Sequence, residues 1–407
     1  MARDALGRLD VSAAVALTLL VQTIISMLAA SVPVLAPEIA AGNGWNVNVI
    51  TFFPVILYVS AFLISFQVPS LLARFGGMGL SLLCVLVNGV GLLCFVVPNL
   101  WLAAAASVTF GVANGAMNPA SSQVLGPRTS DRTAGLIMSI KQTGVPLGAM
   151  AAGALAPFLV LYFGWERAIV QLAVASLVIA FVLTPTAPWL NGPASSRTAR
   201  RYQPLEPLKR LLAIKGMQRF LLAGMAFAAM QLCLRSFLTV YLVRDLGFGL
   251  ATAGLAFSVS QAAGIVGQIA WATISDRLIT AHTVMAILGI LMAVAAVLTA
   301  TFTPDSSTVV VVVCAALYGL SAGGFIPVVL GEIARRASSS DVGPLTSAGQ
   351  LFLITGAIVG PSLFGVVASN AGFAPAFLII AVWAVCGSLG LITGGLIGRI
   401  SANRFAP

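Results

Sequence analysis

Two cations interrupt apolar stretches of the chain, Lys141 and Arg235, and they name the chemistry to look for first. Lys141 stands eight residues past Thr133, roughly 12 Å along a helix, and Arg235 sixteen past Arg219, roughly 24 Å. A charge at such depth in a bilayer costs about 3 kcal/mol even on the lenient insertion scale, so its default meaning is a functional group facing water or a ligand. No acidic residue falls near the centre of an apolar stretch. A carboxylate carried by a ligand would gain charge-assisted hydrogen bonds there, forked ones from a guanidinium. The plain alternatives are an Arg bonded to backbone carbonyls and a Lys reaching the interface.

Neutral polar side chains recur on the same helix faces. Gln231 and Arg235 are four residues apart, as are Asn114 and Asn118, and Gln22 and Ser26, so the members of each pair share a face. Gln142, Gln261, Tyr318 and Gln350 are second-rank candidates. Any one of these amides serves an interhelical hydrogen bond as readily as a substrate contact. The chain carries no Walker loop, no hydrolytic triad and no metal-ligand spacing, so neither an enzyme nor a cofactor is expected. Cys84, Cys94, Cys233, Cys314 and Cys386 lie in apolar stretches without CxxC spacing and read as small core hydrophobes.

The elements that must hold these residues follow from composition. Of 407 residues, 59% are hydrophobic and 8% charged, against about 25% charged in soluble domains. A mean hydropathy of +1.04 makes the bilayer the solvent and argues against a cytosolic enzyme or a nucleic-acid partner. Cutting at charges and turn residues gives twelve spans: 11–36, 45–72, 78–97, 100–125, 133–162, 165–189, 218–243, 250–275, 281–302, 308–333, 342–369 and 372–398. The first is too long for a signal peptide and is expected to be retained. Seventeen of the 19 basic residues outside or at the ends of these spans fall on one side, with only Arg167 and Arg244 opposite, so the net charge of +10 orients the chain with both termini in the cytoplasm. Residues 1–190 and 218–407 form two halves joined by a basic cytoplasmic linker, 191–217, whose run from Leu205 to Ile214 is partly amphipathic.

The halves are copies. At an offset of 208, Gly111, Gly115, Pro119, Arg128, Gln142 and Gly148 meet Gly319, Gly323, Pro327, Arg336, Gln350 and Gly356, and Gln22 meets Gln231 at 209. Strings of small residues, Gly111-xxx-Gly115, Gly144-xxx-Gly148 and Gly360-xxxx-Gly365, suit close helix packing. Pro146, Pro157 and Pro361 are expected to bend spans five and eleven. The expected fold is an all-α membrane protein of twelve transmembrane helices in two pseudo-symmetric six-helix halves.

Such a duplicated chain resembles the major facilitator superfamily of secondary transporters, and the run Lys141-Gln142-Thr143-Gly144-Val145-Pro146-Leu147-Gly148 resembles its bacterial cyanate-permease-like and efflux-like members. That resemblance implies halves rocking about a central chamber, lined by spans one, four, seven and ten with two, five, eight and eleven beside them. It places Gln22, Asn114, Asn118, Lys141, Gln231 and Arg235 around that chamber. The superfamily's signature after spans two and eight survives in part as Ser275-Asp276-Arg277 and as Ala73-Arg74-Phe75-Gly76. By the same resemblance Asp276, Arg277, Glu332 and Arg74 are gate elements, Glu332 pairing with Arg277. His282 falls in the loop after Arg277 and is expected to be solvated.

The expected function is secondary transport of a small organic anion, a carboxylate first, across the bacterial inner membrane by a monomer. The alternative is a proton-coupled exporter of drugs or metabolites. Such exporters usually carry an acid in span one or four, an Arg in span four and Gly-Pro-Gly-Gly in span five; only Gly144-Val145-Pro146-Leu147-Gly148 approximates these. A membrane sensor comes last, because the linker holds no output domain.

Overall fold

The structure, a computed structural model, describes residues 2–46, 52–129, 137–138, 140–191, 205–337 and 342–403. Helices dominate, and no strand occurs among the described residues. Inside a bilayer a helix satisfies its backbone amides within its own segment, which suits so apolar a chain. Two compact units result, Met1–Tyr202 and Gln203–Pro407.

The first unit contains α1 (Ala2–Val34), α2 (Ala36–Asn43), α3 (Phe53–Ser65), α4 (Val68–Leu93), α5 (Leu100–Leu125), α6 (Gly144–Phe163), α7 (Trp165–Leu183) and α8 (Ala187–Asn191). Its turns use local chemistry. The Asn99 side chain caps α5 by accepting from the amides of Trp101 and Leu102 at 3.0 and 3.2 Å. The second unit contains α9 (Leu205–Ala213), α10 (Met217–Val240) with a π turn at Tyr241–Asp245, α11 (Leu250–Arg277), α12 (Ala281–Ala300), α13 (Thr308–Arg336), α14 (Val342–Ala371) and α15 (Phe373–Asn403). An aromatic cluster of Phe237, Tyr241, Phe364, Phe373 and Phe377 joins α10, α14 and α15, with ring centroids 4.5 to 6.4 Å apart.

Several expected boundaries move. Eleven segments among the described residues are long and apolar enough to cross a membrane, while Phe53–Ser65, with 13 residues, is shorter. The expected gap between spans two and three is a one-residue break: two helical segments, labelled together as α4, meet at Gly76, whose backbone is non-helical with a φ of 69° that no other residue type adopts easily. Asn191 fills that break, accepting from the Met78 amide at 2.8 Å and donating to the Phe75 carbonyl at 3.2 Å. Pro146 follows the turn at Thr143 that separates helical residues 140–142 from α6, in keeping with the expected bend of span five, and its missing N–H falls in the first turn of α6. The linker forms the helix α9, whose Leu211 is fully buried; α9 packs on α14 and α10.

Close helix contacts display the duplication and correct its register. A Cβ on Gly111 or Gly115 would strike the carbonyls of Leu57 or Ala61 on α3, and one on Gly319 or Gly323 those of Ser260 or Gly264 on α11. The glycines match at 208, their partners at 203 (260 against 57, 264 against 61), which also aligns Ala73-Arg74 with Asp276-Arg277. Gly148 abuts the Thr23 carbonyl and its mate Gly356 that of Met225, an offset of 202 between α1 and α10 (225 against 23). On this register the counterpart of Gln22 is Gly224, and the Gln22–Gln231 match lies two helical turns away.

Candidate functional site

In the first unit, α5 and the helical residues 140–142 preceding α6 bring two of the expected site residues together. Lys141 is 1% exposed, and its Nζ donates to Asn118 Oδ1 at 2.7 Å. The ammonium is therefore not open to water as expected; it is buried against a neutral amide. Five acidic residues belong to this unit, Asp4, Asp10, Glu38, Asp131 and Glu166. Asp131 lies outside the described residues, and no described carboxylate forms an ion pair with Lys141. Asn114, a turn earlier than Asn118, spends its Nδ2 on the Phe110 carbonyl of its own helix at 2.9 Å. Gln22 on α1 is buried, with Oε1 lacking a hydrogen-bond donor among the described residues. Ser26, on the same face, donates to the Val145 carbonyl at 2.6 Å. Gln142 is half-buried.

In the second unit, two candidates turn out to be reciprocal staples between α10 and α13. Gln231 Nε2 donates to the Ala322 carbonyl at 2.7 Å, and Tyr318 Oη donates to the Met230 carbonyl at 3.1 Å. Tyr318 is wholly buried, so it holds helices together and faces no open space. Arg235, one turn past Gln231, is half-buried. Gln261 is buried and donates to Ser260 Oγ at 3.2 Å. Gln350 is exposed.

The residues expected to form a gate assemble with different partners from those expected. Glu332 accepts from Arg335 at 2.9 Å and from Arg336 at 2.6 Å, not from Arg277, which is exposed and in no ion pair with it among the described residues. Spacings of three and four on one helix put both arginines over the carboxylate, whereas Arg277 lies at the end of α11. Arg335 also bonds Asp276 at 2.7 Å, tying α13 to α11. Arg336 donates to the Lys215 carbonyl at 3.0 Å. His282 is not in a loop. It opens α12, lies tilted at 42° against the Phe220 ring with centroids 4.8 Å apart, and sets Nδ1 4.0 Å from Glu332. Arg74 is exposed above the Phe75 ring, 5.3 Å from its centroid.

One ion pair escaped the sequence reading. Arg128 bonds Asp10 at 3.0 Å and the carbonyls of Leu190 and Trp189 at 3.0 and 3.1 Å, holding α1, α5 and α8 together. Its signal was present in the repeat, since Arg128 is the mate of Arg336.

Two solved structures share this architecture. A POT family transporter in complex with 5-aminolevulinic acid is similar at a TM-score of 0.73 and 13% identity, over 93% of this chain and 95% of that one. A POT family transporter in complex with a thioalcohol conjugated peptide is similar at 0.72 and 13%, over 96% of each. At that identity the likeness concerns the fold. No curated protein matches the chain. The family model of the Major Facilitator Superfamily matches residues 18–281 and again 220–401, and together with the duplicated helical units this shows that the chain belongs to that superfamily of membrane transporters.

Proposed function

We propose that the protein is a secondary active transporter for a small organic anion, a carboxylate first, working by alternating access in the bacterial inner membrane. The observation that carries this reading is Lys141, buried to 1% exposure with the neutral Asn118 as its hydrogen-bond acceptor. An ammonium has three donors. Asn118 takes one and neutralises none of the charge, so among the described residues the desolvation of Lys141 is left without the paired anion that normally offsets it. A bound carboxylate supplies that anion. In the second unit Arg235, half-buried, is a cation whose guanidinium has the forked geometry a carboxylate prefers.

A thermal-shift and proteoliposome-uptake panel of carboxylates, neutral solutes and cationic drugs tests the assignment. Carboxylates are expected to stabilise and to be carried. Lys141→Met is expected to weaken their binding roughly tenfold to a hundredfold, the worth of a charged hydrogen bond, while the protein stays folded, because a buried charge goes with the contact. Arg235→Gln is expected to behave likewise, and Arg235→Lys to recover little. Transport of cationic drugs alone would return the exporter reading.

Orientation has its own check. With 17 of the 19 basic residues outside or at the ends of the predicted spans on one side, both termini and the linker are proposed to be cytoplasmic. A cysteine placed at Ser195, which lies outside the described residues, should stay unlabelled by an impermeant thiol reagent added to intact cells.

A further inference from the structure

Gln22 holds an acceptor that the described chain does not use. The residue is 5% exposed, and its Oε1 is buried with no donor among the described residues, a condition native interiors rarely tolerate without a ligand or ordered water. Its place is specific. The Gln22 Cβ and Cγ would stand 3.0 Å from a Cβ on Gly144, so the side chain crosses α6 three residues past Lys141, one helical turn away. Ser26, the next polar group along that face, is committed to the Val145 carbonyl. Lys141 in turn gives its hydrogen bond to Asn118 and none to Gln22.

At positions about a helical turn apart, then, the first unit presents an ammonium with one hydrogen bond and a carbonyl oxygen with no donor among the described residues. Those groups ask for different partners. The ammonium takes a carboxylate oxygen, whereas Oε1 repels one and pairs with an O–H or N–H. General helix packing does not require the amide, because its counterpart on the duplicated register is Gly224, faced by the apolar side chains of Leu353 and Val329.

We propose that Gln22 Oε1 accepts a hydrogen bond from the transported anion itself, so that the substrates are carboxylates bearing a hydroxyl or amino donor close to the carboxyl group. This rests on the anion reading above and narrows it. A polar site built around a substrate donor discriminates strongly against the analogue that lacks it, because the acceptor is then buried unpaired.

The test measures affinities of matched acids on the purified full-length protein: lactate against propionate, and malate against succinate. The hydroxy acid of each pair is expected to bind at least about tenfold more tightly. Gln22→Met, which keeps length and loses the acceptor, should bring the ratio close to one by weakening the hydroxy acids alone. Equal affinities within both pairs in the parent protein, or an unchanged ratio in Gln22→Met, would overturn the proposal. If all four acids bind equally and Lys141→Met abolishes that binding, the anion reading stands and the role of Gln22 falls. If none binds, both fall together. Should Gln22→Met not fold, the ratio in the parent protein still decides.

Discussion

Charged side chains in this protein separate by the company they keep. Glu332, with 11% of its side chain exposed, is held by two arginines that are themselves 41% and 30% exposed, while Asp276, 63% exposed, holds Arg335 from α11. Screening discounts the second contact far more than the first. Glu332→Gln is therefore expected to destabilise the protein by about 1–2 kcal/mol, and Asp276→Asn by no more than about 1 kcal/mol; denaturation in detergent compares them. Equal losses would mean that burial does not rank the two contacts. The residue types of this cluster were legible in the sequence and the partner of Glu332 was not. Resemblance supplied Arg277, but i+3 and i+4 geometry on α13 placed Arg335 and Arg336 nearer. Lys141 was legible as an anomaly, and its bond to Asn118 was not, because that contact joins residues 23 positions apart on two elements.

Helices pair here through backbones brought close by glycine, so element-scale stability resides in positions that look inert. Without a hydrophobic drive between helices in lipid, contact area and close approach carry association. Gly319 touches the Ser260 carbonyl with no room for a methyl group, whereas Gly390 on α15 has nothing within 4 Å of its missing Cβ. Gly319→Val should abolish the monodisperse, folded fraction on size exclusion, and Gly390→Ala should leave it unchanged. Survival of Gly319→Val would mean that the α11–α13 contact is more plastic than its geometry implies. The helical character of the chain was plain from hydropathy, since length and apolarity decide it. The boundaries were harder. Gly76 was read as part of a loop between spans two and three, and the break there is a single non-helical residue with Asn191 filling it. A contact across 113 residues leaves no local mark in the sequence.

For the whole molecule, the consequence of these placements is an expected transport mode. The 11 acidic residues leave the span centres empty of carboxylates, so no acid is positioned there to take up and release a coupling proton in the way acid-bearing exporters do. Under the anion reading, the bound substrate supplies the negative charge that Lys141 otherwise lacks. An empty carrier must then rearrange with a buried ammonium joined to a neutral amide, whereas a loaded one rearranges with that charge compensated. Since a ligand shifts a conformational equilibrium only by its differential affinity for the two states, the anion should favour whichever state encloses Lys141 most completely. Return of the loaded carrier should accordingly outpace return of the empty one. Counterflow exchange of a transported carboxylate in proteoliposomes is expected to run several-fold faster than its net uptake. Lys141→Gln, which removes the charge from the empty carrier, should narrow that difference even as it weakens binding. Equal exchange and net rates in the parent protein would show that the empty carrier returns freely, and the buried ammonium would then have no part in coupling.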